Sequence, residues 1–235
     1  MQAYRRRMPT YGQFCPVAKT SELLCERWMP LVLRELMCGS ARFGEIQRGV
    51  PLISPGLLTK RLRQLVLAGV AERTATGRDI TYTLTPAGWE LYPIIEAMGV
   101  WGQRWARSRY GVDELDPSLL MWDMRRMLVP AGLAERPTVV EFRIRGGPPR
   151  KTRYWLVVEK TAIDLCLVDP QRDVDLCVEA ELRALTEVWM GDRTMAEAVA
   201  DGTISLLGPP ELASRFPVWL GCHPLLGGVP SAVPT

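Results

Sequence analysis

The sequence predicts an α+β protein in two domains: a helical first half closed by a β-hairpin, then a second half in which strands precede helices. Three observations carry that expectation. Apolar residues recur at helical spacing through most of residues 16–69. In the second half they alternate with polar ones, most cleanly in TVVEFRIR. The charge also divides. Residues 1–112 carry 16 Lys and Arg against 8 Asp and Glu, and residues 113–235 carry 13 against 18, so a chain of net charge +3 is +8 in one half and −5 in the other. Such asymmetry argues for two units with different partners, the first facing a polyanion.

Composition excludes several classes. A chain of 235 residues, 47% hydrophobic and 23% charged, is neither disordered nor fibrous. No apolar run approaches the ~20 residues that span a bilayer, and MQAYRRRMPTYGQ has no apolar stretch behind its charges, so no signal peptide is expected. The expected compartment is the cytoplasm, without membrane insertion. The six cysteines form no CxxC pair, and the single histidine, His223, sits in a Gly/Pro-rich tail. Neither a metal site nor a histidine triad is expected. Nor is any other cofactor or catalysis: no phosphate-binding glycine loop or GxSxG elbow occurs, RGGPPRK reads as a hairpin loop, and the acids cluster around turns and strand ends.

Residues 16–38 read as two helices that part near Glu26, because Pro30 suits the first turn of the second. Gly39-Ser40 stops it, and a short third helix lies around Phe43–Arg48. In ISPGLLTKRLRQLVLAGV, Ser54 is a good N-cap, Pro55 takes the first helical position and Gly69 closes the helix. Leu58, Leu62 and Leu65 fall in one stripe. Gly56, Lys60 and Arg63 fall opposite, flanked by Thr59 and Gln64, with Leu67 a turn or more farther on. That outer face holds what a helix in a major groove uses, cations for phosphates and guanidinium and amide groups for base edges. VAERT and ITYTL flank Gly77 as a hairpin with Arg78 at its tip. Helix pair, basic amphipathic helix and hairpin follow in the order of a winged helix-turn-helix. The candidate DNA-binding residues are Ser54, Gly56, Thr59, Lys60, Arg63, Gln64 and Arg78.

The first half resembles the HxlR-type bacterial transcription regulators. The residues that carry the resemblance are Cys15-Pro16-Val17, Trp28, Leu33-Arg34-Glu35-Leu36, Arg42-Phe43, Glu45-Ile46, Ile53-Ser54, Leu57-Leu58, Arg61-Leu62, Leu65, Ala68-Gly69, Tyr82, Leu84-Thr85-Pro86 and Trp101, within residues 13–107. The resemblance implies a dimeric reader of double-stranded operator DNA, with a helix from Pro86 to about Arg107 pairing with its copy. The sequence agrees: Leu91, Ile94, Ile95, Met98, Trp101 and Trp105 form a stripe more apolar than one small domain requires, a candidate homodimer interface. Cys15 stands where some members of that family carry an oxidant- or electrophile-sensing thiol, with Arg5, Arg6, Arg7 and Lys19 near it in sequence.

After a linker, Asp116 can cap a helix that begins at Pro117. TVVEFRIR places Val140, Phe142 and Ile144 on one side and Glu141, Arg143 and Arg145 on the other, facing solvent. RYWLVVEK, AIDLCLVD and VDLCVEA complete an expected antiparallel meander. Two helices, the strand TISLLG and a closing helix follow, so the expected second domain is an α+β sandwich with an antiparallel sheet. It resembles the sterol-carrier-protein-type lipid-binding domain through Tyr154-Trp155-Leu156-Val157-Val158, Leu182 to Gly191, Ala200, Gly202 and Ile204-Ser205-Leu206-Leu207-Gly208. The resemblance implies a small hydrophobic ligand held between sheet and helices. Met121, Met124, Trp155, Trp189, Met190 and Trp219 are the candidate lining, being the adaptable apolar residues of this half. The domains are therefore expected at 1–112 and 117–220, with a flexible tail at 221–235. The expected function is a dimeric DNA-binding regulator tuned by an apolar ligand. Two alternatives stay open: an apolar-ligand carrier that uses the winged helix to dimerise, and a thiol-based regulator sensing through Cys15.

Overall fold

The structure is a computed structural model that describes residues 10–106, 110–111, 114–128, 136–148, 152–160 and 162–221. His223, residues 222–235 of the tail, Arg5, Arg6 and Arg7 lie outside the described residues. The chain divides into two compact units, one ending at Gln103 and one starting at Arg104.

In the first unit, α1 (Pro16–Leu24) and α2 (Met29–Met37) part as expected. The corner between them turns at Trp28, whose φ of 76° is left-handed, a region that bulky residues rarely adopt. The Arg27 guanidinium stacks 5.1 Å over its indole. Then come α3 (Phe43–Gly49) and α4 (Pro55–Leu67). Strands β1 (Ala71–Thr76) and β2 (Asp79–Leu84) pair antiparallel around the two-residue loop Gly77-Arg78. Gly77 has φ 62°, as the first loop position of a type II′ hairpin turn requires. Met29, Val32, Leu33, Ile46, Leu58, Leu62 and Leu65 are fully buried and form the core.

The single helix expected from Pro86 is broken. A short α5 (Pro86–Trp89) precedes α6 (Tyr92–Trp101), and a π-helical turn, Gly102–Ala106, follows. Pro93 explains the break, since it has no N–H to continue the ladder and its ring clashes with the preceding turn. Arg107, the expected end, lies outside the described residues.

In the second unit Asp116 caps α7 (Pro117–Met127), its carboxylate accepting from the Ser118 and Leu119 N–H groups. Five strands follow, β3 (Thr138–Arg145), β4 (Arg153–Val158), β5 (Ile163–Cys166), β6 (Leu176–Glu181) and β7 (Ile204–Leu207). Helices α8 (Leu182–Trp189) and α9 (Met195–Ala200) lie between β6 and β7, and α10 (Pro210–Leu220) ends the described chain. The sheet corrects one expectation. Its order is β5-β4-β3-β6-β7, and β6 runs parallel to β3, so it is mixed rather than an antiparallel meander. Residues 167–175 carry the chain past β4 to the far side of β3. An extended stretch of that length reaches ~30 Å, ample for strands ~4.8 Å apart. Alternating burial looks the same for either pairing, so the pattern held no sign of direction. Phe142, Tyr154, Leu156, Val178, Leu185, Trp189 and Phe216 make the core on one face of this sheet.

Candidate nucleic-acid interface

The candidate reading helix α4 is held from both ends. Ser54 Oγ accepts from the Leu57 N–H at 3.4 Å, and Gly69, at φ 72°, lets the chain leave. Ahead of it, Gln47 Nε2 donates to Ile53 O at 2.7 Å, which ties α3 to the approach of α4. The Glu45 carboxylate accepts from the Ala41 and Arg42 N–H groups at the start of α3. Beneath them the fully buried Glu35 carboxylate accepts from Arg34 Nη2 (2.9 Å) and Ser40 Oγ (3.1 Å), while the same Arg34 nitrogen donates to Gly49 O. These bonds fix α2, α3 and the α3–α4 turn as one body.

Leu58, Leu62 and Leu65 face the core, leaving Gly56, Thr59, Lys60 and Arg63 exposed together. Thr59 Oγ1 donates to Pro55 O at 2.9 Å, so toward a ligand it offers its methyl group and oxygen lone pairs. Leu67 is also exposed. Gln64 corrects the sequence reading: it is buried, its Oε1 accepting from Arg61 Nη1 at 2.7 Å. It cannot read a base without leaving that partner. Arg78 is exposed at the hairpin tip. Tyr82 N–H donates to Ala41 O at 2.8 Å and Arg42 bridges Thr81, so the hairpin is laced to the start of α3. Arg73, exposed on β1 opposite Tyr82, is a further wing cation that the sequence reading passed over. Its only signal was its place in the hairpin.

The proposed dimer stripe splits. Ile95 is buried and Leu91 packs beside it in the unit's own core. Ile94, Met98 and Trp101 are exposed, Trp101 at 61%, and so is Trp105 in the π turn. An open groove of about 800 Å³ runs along α1, α2 and α6, lined among others by Val17, Leu24, Trp28, Leu31, Ile94 and Met98. Cys15 stands at the N-cap position of α1 without a side-chain capping bond and is half-buried as a free thiol. Lys19, expected to act on it, is instead paired with Glu22 at 2.8 Å.

The candidate ligand residues of the second unit lie on both faces of its sheet. Met121, Met124, Trp189 and Trp219 are buried in the core itself, and Met190 packs at its edge. Trp155 is on the opposite face of the sheet, with Val139 and Val157, because its neighbour Tyr154 takes the core side. On that face Glu141, expected in solvent, is buried. Burial alone pushes its carboxyl up, but hydrogen bonds from Arg143 and Arg153 outweigh this and hold it below the ordinary value. Arg153 also stacks 5.1 Å over Trp155. The two arginines sit opposite each other on β3 and β4 and close over the carboxylate between them.

A family model of HxlR-like helix-turn-helix proteins matches residues 23–110. The uncharacterized HTH-type transcriptional regulator YvaP of Bacillus subtilis (strain 168) is 35% identical over 113 residues, which are 46% of this chain and 96% of that relative. The HTH-type transcriptional regulator YodB of the same organism is 34% identical over 94 residues, 38% of this chain and 84% of the relative. Among solved structures, the reduced form of YodB from B. subtilis shares 30% identity over 40% of this chain and 97% of that one, at a TM-score of 0.36.

Proposed function

The chain belongs to the HxlR-like helix-turn-helix family of transcriptional regulators, and from that membership we propose that it binds operator DNA as a homodimer. One observation supports the reading above the others. Gly56, Thr59, Lys60 and Arg63 stand exposed on one face of a helix whose other face is fully buried, with Arg78 at the tip of the adjoining hairpin. In this reading α4 enters the major groove, where Arg63 reads a base edge and Lys60 meets phosphate. Gly56 lets the backbone approach closely at the helix N-terminus. Arg78 meets the sugar–phosphate backbone or the adjoining minor groove. Two-fold operators need two reading helices, and Ile94, Met98 and Trp101 supply an exposed apolar stripe for a second copy.

A second element concerns the other unit. Trp219 Nε1 is buried with no hydrogen-bond partner among the described residues, and buried indole N–H groups usually find one. That favours a small amphipathic ligand whose polar group meets this N–H and whose apolar part seats in the surrounding core. Such a ligand shifts operator affinity only as far as it binds the DNA-competent and incompetent conformations differently. Sensing through Cys15 makes a different prediction: peroxide abolishes DNA binding, and Cys15→Ser removes that response.

The test is capture of sheared host DNA by the purified, reduced protein at ~150 mM salt, where much nonspecific binding is screened away. A short pseudo-palindrome enriched at a few promoters is expected. No enrichment by a folded dimer, with or without a lipid extract, overturns the operator reading in favour of a carrier.

A further inference from the structure

Arg61 is the one cation of α4 that points inward. It is 4% exposed, and each of its three guanidinium nitrogens has a directional partner. Nη2 lies 2.6 Å from Glu26 Oε2, Nε donates to Arg27 O at 2.8 Å and Nη1 donates to Gln64 Oε1 at 2.7 Å. Two of these partners belong to the corner between α1 and α2, and the third lies on α4 itself. Leu58, Leu62 and Leu65 pack the rest of the inner face of α4 on the core through apolar contacts. Apolar burial is non-directional, so the stripe sets which face of the helix turns inward but leaves its finer roll loosely specified. A rigid fork with two acceptors outside the helix, Glu26 Oε2 and Arg27 O, does fix it. Roll matters here, because Lys60 and Arg63 flank Arg61 in sequence and swing with it.

The corner that holds Arg61 is also exposed to traffic. Cys25, Glu26, Arg27 and Trp28 line the groove along α1, α2 and α6 together with Ile94 and Met98, and Trp28 keeps its left-handed backbone there. Anything seated in that groove, the second protomer first of all, touches the residues that grip Arg61.

We propose that Arg61 is the positioning residue of the reading helix: it sets the roll of α4 and makes the α1–α2 corner the part of the fold that controls it. Arg61 touches no DNA in this assignment; it acts through the placement of Lys60 and Arg63. The proposal rests on the operator reading above.

The experiment compares wild type with Arg61→Gln, Arg61→Lys and Glu26→Gln. The probes are the duplex that wild type enriches from host DNA and a scrambled duplex of equal length, titrated over a range of salt. Lysine retains the charge opposite Glu26 but cannot make the fork. Both Arg61 variants are therefore expected to lose roughly tenfold or more of the discrimination between the two duplexes, with the Lys variant recovering melting temperature but not discrimination. The salt slope is expected to stay at the wild-type value, because no phosphate contact is lost. Should Arg61→Gln not fold, Glu26→Gln loosens the same clamp from its half-buried side and is expected to move discrimination the same way. Folded variants that discriminate like wild type, or a slope that drops by about one, overturn the proposal alone. A wild-type protein that selects no duplex overturns the operator reading and this proposal with it.

Discussion

Gly49 lies against the buried carboxylate of Glu35 so closely that a Cβ at residue 49 would sit 1.9 Å from Glu35 Cδ. The carboxylate has little room to retreat, since Arg34 and Ser40 hold its two oxygens. Glycine is therefore needed at the end of α3 for space rather than for backbone freedom. Gly49→Ala is expected to cost ~1–3 kcal/mol, as overpacking does. Urea denaturation followed by circular dichroism measures it, and an unchanged midpoint would refute the close packing. Because the same cluster fixes the α3–α4 turn, folded Gly49→Ala protein is also expected to bind operator more weakly.

The exposed and buried sides of α6 make a paired prediction. Met98→Arg or Trp101→Glu places charge on the exposed stripe and is expected to yield monomers in light scattering while helix content is retained. Ile95→Ala instead empties a core site, with an expected cost of ~2–5 kcal/mol in unfolding. If Met98→Arg elutes and scatters as wild type does, α6 is not the dimer contact.

Much of the first unit was legible because its signals are local. Ser54, Pro55 and Gly69 bound α4 by cap, first-turn and exit chemistry, and the Leu58–Leu62–Leu65 stripe gave its inward face. Gln64 was not legible, because it packs against Arg61, whose partners in the α1–α2 corner include Arg27 O, 34 positions away in sequence. No helical wheel contains that contact. Ile95 and Ile94 are equally apolar neighbours, and only the packing of α6 on α2 separates core from surface. The break at Pro93 was in the sequence but was outweighed by the continuous apolar spacing around it. In the second unit, element positions followed from alternation and turn residues, yet the parallel β3–β6 pairing depends on where residues 167–175 cross. Met121, Met124, Trp189 and Trp219 lie in the packed core, and residue type alone does not separate a pocket lining from a core.

Acid is expected to release the chain ahead of α1. Glu22 accepts from Lys19 Nζ (2.8 Å), Thr10 Oγ1 (2.7 Å) and the Tyr11 N–H (3.1 Å), and these bonds, that of Lys19 foremost, draw its carboxyl from 4.5 down to about 2. A folded value below the unfolded one means the contribution is complete above about 4.5 and is lost as pH falls toward 2. The tie is at the surface, so the expected change is local: the Tyr11 amide loses its protection from hydrogen exchange over that range while the core keeps its own. In Glu22→Gln the Tyr11 amide is expected to exchange fast at every pH. Protection that persists in Glu22→Gln would assign the order of this segment to something else.

The two ends of the proposed interface are separable by salt. Arg63 is exposed on α4 among residues that a major groove would meet, whereas Arg78 is at the tip of a two-residue loop. If Arg63 reads a base edge, Arg63→Ala is expected to weaken binding to the selected duplex by ~1–3 kcal/mol and to spare a scrambled one by comparison. If Arg78 meets phosphate, Arg78→Ala is expected to weaken binding to both duplexes alike and to flatten the plot of log affinity against log salt by about one unit. Fluorescence anisotropy at several salt concentrations gives both quantities. Equal losses on both duplexes for Arg63→Ala would move that residue to the phosphate backbone. The reading of sequence would then fall to other groups on the same face, with Thr59, through its methyl and free lone pairs, the first to test.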